Sequence, residues 1–124
     1  MADALSVTGT DTINNGSQTA KFDDLIYGSA KVWCKFDGTG TIAIDDSYNV
    51  DSLTDNGTGD YDVNFTVDFA TTNYAVSGYV EGGSNNHIGG GAQSTTDIRI
   101  ICRDASVPAS EDHTGISVIC LGGQ

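Results

Sequence analysis

Hydrophobic and polar residues alternate along much of the chain with the spacing at which side chains of an extended strand fall on opposite faces. The cleanest case is residues 60–69. Tyr61, Val63, Phe65, Val67 and Phe69 fall on one side, and Asp60, Asp62, Asn64, Thr66 and Asp68 on the other. Such a strand has one face in a core and the other in water. Residues 29–36 alternate likewise, with Val32, Cys34 and Phe36 set against Lys31, Trp33 and Lys35. Asp37-Gly38-Thr39-Gly40 turns that strand into residues 41–44, which makes a hairpin.

Residues 47–54 and 60–69 flank Asp55-Asn56-Gly57-Thr58-Gly59. Asn-Gly supplies positive φ, so this is a second hairpin, and Gly57 is expected in the left-handed region. Residues 73–80 form another strand, with Tyr74, Val76 and Val80 in phase. Gly78 shares that phase and marks a bulge or a close backbone approach. Residues 96–103 and 114–121 complete the strands. Residues 81–95, with Gly82-Gly83, Asn85-Asn86-His87 and Gly89-Gly90-Gly91, are expected to be a loop, as are residues 104–113.

The pattern predicts an all-β fold: an antiparallel β-sandwich, a jelly-roll-like knob of about seven or eight strands. It occupies residues 29–124, and residues 1–28 read as an N-terminal docking arm. In the arm, residues 4–8 suggest a short strand. Phe22, Leu25 and Ile26 have helical spacing, but over a stretch too short for more than a turn.

Composition agrees. With 16 Gly, one Pro, two Glu and three Lys in 124 residues, the chain is rich in turn formers and poor in helix formers. Its 17 acidic and 5 basic residues give a net charge of −12. Approach to nucleic acid or to an anionic membrane would cost Coulomb work, so neither is an expected partner. No apolar run reaches membrane-spanning length, so no membrane insertion is expected. Residues 1–10 lack a basic, apolar secretory pattern. Cys34, Cys102 and Cys120 are an odd number at wide spacing, each within an apolar run. They are expected to be buried free thiols, which fits assembly in a reducing cytoplasm.

Candidate chemistry is sparse. His87 and His113 lie in expected loops with no nucleophile elbow or metal spacing nearby, and solvent exposure is the simpler role for both. Asp23-Asp24, Asp45-Asp46 and the Asp55, Asp60, Asp62 group invite comparison with a glycosidase acid pair or a calcium site. Neighbouring strand residues point to opposite faces, however, and Asp favours turns by bonding nearby backbone N–H groups. No catalytic residue, cofactor or metal site is therefore assigned. Trp33, Tyr48 and Tyr79 are aromatic side chains suited to core, subunit contact or sugar stacking. Lys31, Lys35, Arg99 and Arg103 lie in expected strands, where they should pair with carboxylates. Trp33, Arg99 and Arg103 are candidate subunit-interface residues. Asn85, Asn86, His87, Glu111, Asp112 and His113 are candidate outer contacts, because loops carry contacts more often than strands do.

Within residues 32–80, several segments stand out together. They are Trp33, Phe36 and Gly38-Thr39-Gly40-Thr41; Ser47-Tyr48-Asn49-Val50, Ser52 and Thr54-Asp55-Asn56-Gly57-Thr58-Gly59-Asp60-Tyr61; and Val63-Asn64-Phe65 and Asn73-Tyr74-Ala75-Val76. This stretch resembles a module of tail-fibre and virion structural proteins of tailed phages, notably marine phages infecting cyanobacteria. The resemblance implies a β-rich knob, a homotrimer, carried on the outside of a particle that assembles in the bacterial cytoplasm. It implies other virion proteins of the capsid or tail as partners. No catalytic set carries over, because the matching residues are turn and core positions. In fibres such a module follows a long shaft, whereas only about thirty residues precede it here. A surface decoration or fibre knob is the expected role. The alternative is an adhesin tip that binds a host surface glycan or outer-membrane component. A small glycan hydrolase is the third reading, and it lacks the spaced carboxylates of a cleft.

Overall fold

A computed structural model describes residues 12–14, 16–82, 86–107 and 109–124. The strand suggested for residues 4–8 lies outside the described residues. The arm begins with β1 (Thr12–Asn14) and β2 (Thr19–Lys21), a small hairpin, followed by α1 (Phe22–Gly28). This helix is longer than the spacing of its apolar residues suggests. The Asp24 carboxylate accepts the Lys21 N–H at 3.2 Å, which satisfies a donor at the helix start.

The sandwich follows as β3 (Ala30–Asp37), β4 (Ala43–Tyr48), β5 (Val50–Gly57), β6 (Asp60–Phe65), β7 (Ala75–Val80), β8 (Asn86–Gln93), β9 (Asp97–Asp104), β10 (Ala109–Ser110) and β11 (Ile116–Leu121). One sheet has the order β4-β3-β11-β7, and all its pairs are antiparallel. In the other, β5, β6 and β9 are neighbours, β8 lies along the opposite edge of β9, and β10 extends the β6 side. The expected all-β sandwich is present.

Alternation explains the core. Val32, Cys34 and Phe36 of β3 and Ile116, Val118 and Cys120 of β11 point inward from the first sheet. Tyr61, Val63 and Phe65 of β6 and Ile98, Ile100 and Cys102 of β9 meet them from the second. Phe36 and Tyr61 join the sheets edge to face, with ring centroids 5.3 Å apart. The three cysteines are free and buried, and burial pushes each thiol up to about 12.

Three expectations need correction. The strand expected over residues 60–69 ends at Phe65. Asn49, at φ 57°, accepts the Val67 N–H at 2.7 Å and donates to the Val67 carbonyl at 3.0 Å, which takes the backbone out of the ladder. Val67 is consequently exposed, while Phe69 turns back into the core and stacks on Tyr74 at 4.1 Å. Second, the loop expected over residues 81–95 contains β8, whose pairing with β9 runs through Gly89 and Gly90. Third, residues 104–113 are not wholly irregular, because β10 bridges Asp104 and Arg103. Two glycine expectations hold: Gly57 in its turn has φ 128°, and Gly78 within β7 marks a close approach, since a Cβ there would lie 2.6 Å from Ile88 Cδ1 and 3.0 Å from the Ser117 carbonyl oxygen.

Candidate binding face

The outward positions of β3, β4, β7 and β11 create the most unusual surface. Strand register places Tyr48, Trp33, Ile119 and Ser77 in one row across the sheet. The next row holds Asp46, Lys35, Ser117 and Tyr79. Trp33 is 37 %, Ile119 38 %, Tyr48 56 % and Tyr79 64 % exposed, so large apolar side chains stand in water among the polar residues of this face. Between Trp33 and Tyr79 runs a groove of about 330 Å³. Ile119 and Ser117 of β11 lie between those two aromatics, and Ser77 borders the groove on β7.

A charged clip crosses this face. Lys35 Nζ of β3 donates to Glu81 Oε1, just past β7, at 3.0 Å. The pair spans β11 near its start, and Gly115 makes room for it, because a Cβ there would collide with the Glu81 carboxylate. The hydrogen bond to Glu81 raises the Lys35 ammonium above its ordinary value, the charge of Glu81 adding to it. Donor and acceptor thus stand side by side, both about half exposed.

The outer face of the second sheet satisfies itself. Arg99 donates to both Asp60 oxygens, Nε to Oδ1 at 2.7 Å and Nη2 to Oδ2 at 2.6 Å. The Asp60 carboxyl is held below its usual range by these bonds, against some desolvation. Asn64 Nδ2 donates to the hydroxyls of Ser52 and Thr54 at 3.2 and 3.0 Å. Arg99, a candidate interface residue, therefore makes its ion pair within its own chain. Arg103 lies on β9 opposite His87 and is exposed. Trp33 stands on the aromatic face of the other sheet.

The candidate outer contacts are divided. His87 and Glu111 are exposed, and Asn85 lies outside the described residues. Asp112 faces inward: its Oδ1 accepts the Tyr61 hydroxyl and the Gly59 N–H, each at 2.6 Å. The same hydroxyl lies 2.9 Å from the Gly38 carbonyl. Burial, and then the carboxylate beside it, hold the Tyr61 phenol far above its ordinary value. His113 is only 8 % exposed, which corrects the expectation of a solvent-facing ring. Its carbonyl accepts the Gly38 N–H at 2.9 Å, so the end of the loop is folded onto the sandwich. Its Nδ1 lies 3.4 Å from Asn86 Nδ2, and its buried Nε2 finds no partner among the described residues.

The acidic groups act as turn formers. Asp37 accepts the Thr39 N–H and hydroxyl at 2.8 and 2.7 Å, Asp55 the Gly57 N–H at 2.9 Å, and Asp104 the Ser106 N–H at 2.7 Å. These hydrogen bonds lower the Asp37 and Asp104 carboxyls below their usual range. Among the described residues no three His, Cys, Asp or Glu side chains converge as a metal site would require.

Sequence reasoning singled out Trp33, Tyr48 and Tyr79 as aromatics. It missed Ile119, which stands beside Trp33 in the row that Tyr48 begins, and the Lys35–Glu81 clip. The chain matches no family model, no curated protein and no solved structure.

Proposed function

We propose that this chain is a contact module of a tailed-phage particle, a decoration or fibre knob that works by non-covalent association. The observation that carries this reading is the division between a sandwich with its own core and an arm with uncovered apolar side chains. Ile13, Leu25, Ile26 and Tyr27 are all exposed on β1 and α1. Ile13, Ala20 and Leu25 line an open hollow of about 560 Å³. Apolar groups left in water on a short arm suit docking to a neighbouring protein of the capsid or tail. The tail-fibre resemblance of residues 32–80 supports the particle assignment and the homotrimer that goes with it.

The test is deletion of residues 1–28. The shortened chain should keep a β-type circular dichroism spectrum and a cooperative melt, yet be missing from purified particles. Particles that carry it at full occupancy would refute docking by the arm. Loss of the fold would show that the arm is part of the core. The adhesin reading has separate support in the aromatic groove, where exposed rings stand beside hydrogen-bonding groups.

A further inference from the structure

From the groove between Trp33 and Tyr79 we infer that the outer face of the β4-β3-β11-β7 sheet binds a neutral sugar. The inference rests on the contact-module reading and gives that module a ligand class. A pyranose ring has an apolar C–H face and a rim of hydroxyls. The groove offers a counterpart to each. The Trp33 and Tyr79 rings flank it, and both are exposed enough to stack on a flat apolar face. Lys35 lines the groove and supplies donors, and at the groove's margin the Glu81 carboxylate, 3.0 Å from Lys35 Nζ, supplies acceptors, a spacing suited to adjacent hydroxyls. Ser117 adds a hydroxyl between the strands that carry the rings, and Ser77 another at the groove's edge. The volume, about 330 Å³, is at the lower end of the ligand-site range of about 300–1,000 Å³.

Charge selects among sugars. Lys35, the charged residue of the groove lining, is neutralised by Glu81 beside it, so no unpaired positive charge is left to hold an anion, and the chain as a whole carries −12. Acidic polysaccharides and phosphorylated glycans would be repelled. A flat protein partner, including a second copy, is disfavoured for another reason. It would strip water from the clip and from Asp46 beside Lys35, and would have to replace those hydrogen bonds from preset positions on its own surface. Sugar hydroxyls replace the lost water.

Trp33 is the sole tryptophan beside five tyrosines, so emission excited at the red edge, where tyrosine does not absorb, reports on this groove in the full chain. The probes are the neutral oligosaccharides cellotriose, mannotriose, chitotriose and lactose. At least one should give a saturable change in Trp33 emission. Tyr79→Ala should weaken that titration about ten-fold or more, the scale of one well-made contact. Lys35→Met should weaken it similarly, with both variants shown folded by circular dichroism. No response to any of the four sugars would overturn the inference. It would also be overturned if Trp33 emission shifted with protein concentration alone while light scattering showed a rise in mass, since a second copy would then occupy the face. Neither result touches docking by the arm, which the deletion reads separately.

Discussion

The two sheets obey the same inward–outward alternation but present opposite outer surfaces. On the β5-β6-β9 side, Asp60 holds Arg99 and Asn64 bridges Ser52 and Thr54, so the polar groups use one another. On the β4-β3-β11-β7 side, Trp33, Tyr48, Ile119 and Tyr79 stand in water. Folding explains the inner faces of both, because apolar burial is their driving force. It explains the polar outer face too, because those groups satisfy each other or water. It gives no reason for three aromatics and an isoleucine grouped in water, and a contiguous apolar patch is therefore where a binding role is sought.

This comparison can be broken from the inside first. If the sheets share one core, Ile100→Ala in β9 and Ile116→Ala in β11 should each cost about 2–5 kcal/mol in urea denaturation. A variant that melts like the parent would show that its sheet does not depend on the core. The next effect is alkaline. Cys34 and Cys120 lie in the aromatic sheet and Cys102 in the other, all pushed up to about 12 by burial. The neutral thiol is the folded form, so its stabilisation is complete below the unfolded value of about 8.5 and is lost as pH rises toward 12. Removing one such group in Cys102→Ala should flatten the fall in stability by about 1 kcal/mol per pH unit above pH ~9. Parallel curves for parent and variant would contradict this.

The smallest effects separate the outer faces themselves. Arg99 keeps the Asp60 carboxyl below its usual range, so the stabilisation is present above pH ~4 and disappears as pH falls through the lowered value. Asp60→Asn should cost about 0.5–1 kcal/mol at neutral pH, reduced by solvent screening of the half-exposed pair, and nothing in strong acid. Tyr48→Ser on the aromatic face should shift stability by no more than about 0.5 kcal/mol at either pH. A larger loss at Tyr48 would make the aromatic face a structural element rather than a free one.

Much of the fold was legible because β3, β6, β9 and β11 carry alternating side chains whose period needs no partner to be seen. What escaped depended on distant contacts. β6 stops at Phe65 because Asn49, far back in the chain, brackets Val67. β8 was hidden because glycines show no alternation, and its strand form comes from pairing with β9. The binding face was visible only in pieces. Trp33, Tyr48 and Tyr79 could each be named, but their common surface requires the order β4-β3-β11-β7, and the partner of Lys35 lies beyond the end of β7 in a stretch expected to be loop. His113 and Asp112 were placed outward because their loop is polar, whereas Tyr61 and Gly38 draw its end inward.

The glycines of β8 have one more consequence. This strand forms a margin of its sheet, and a margin is where polypeptides zip together into fibrils. A newcomer aligned against Gly89, Gly90 and Gly91 would find backbone but no greasy side chains to interdigitate with. Crowded many to a surface, such molecules gain little from that kind of growth and can remain separate.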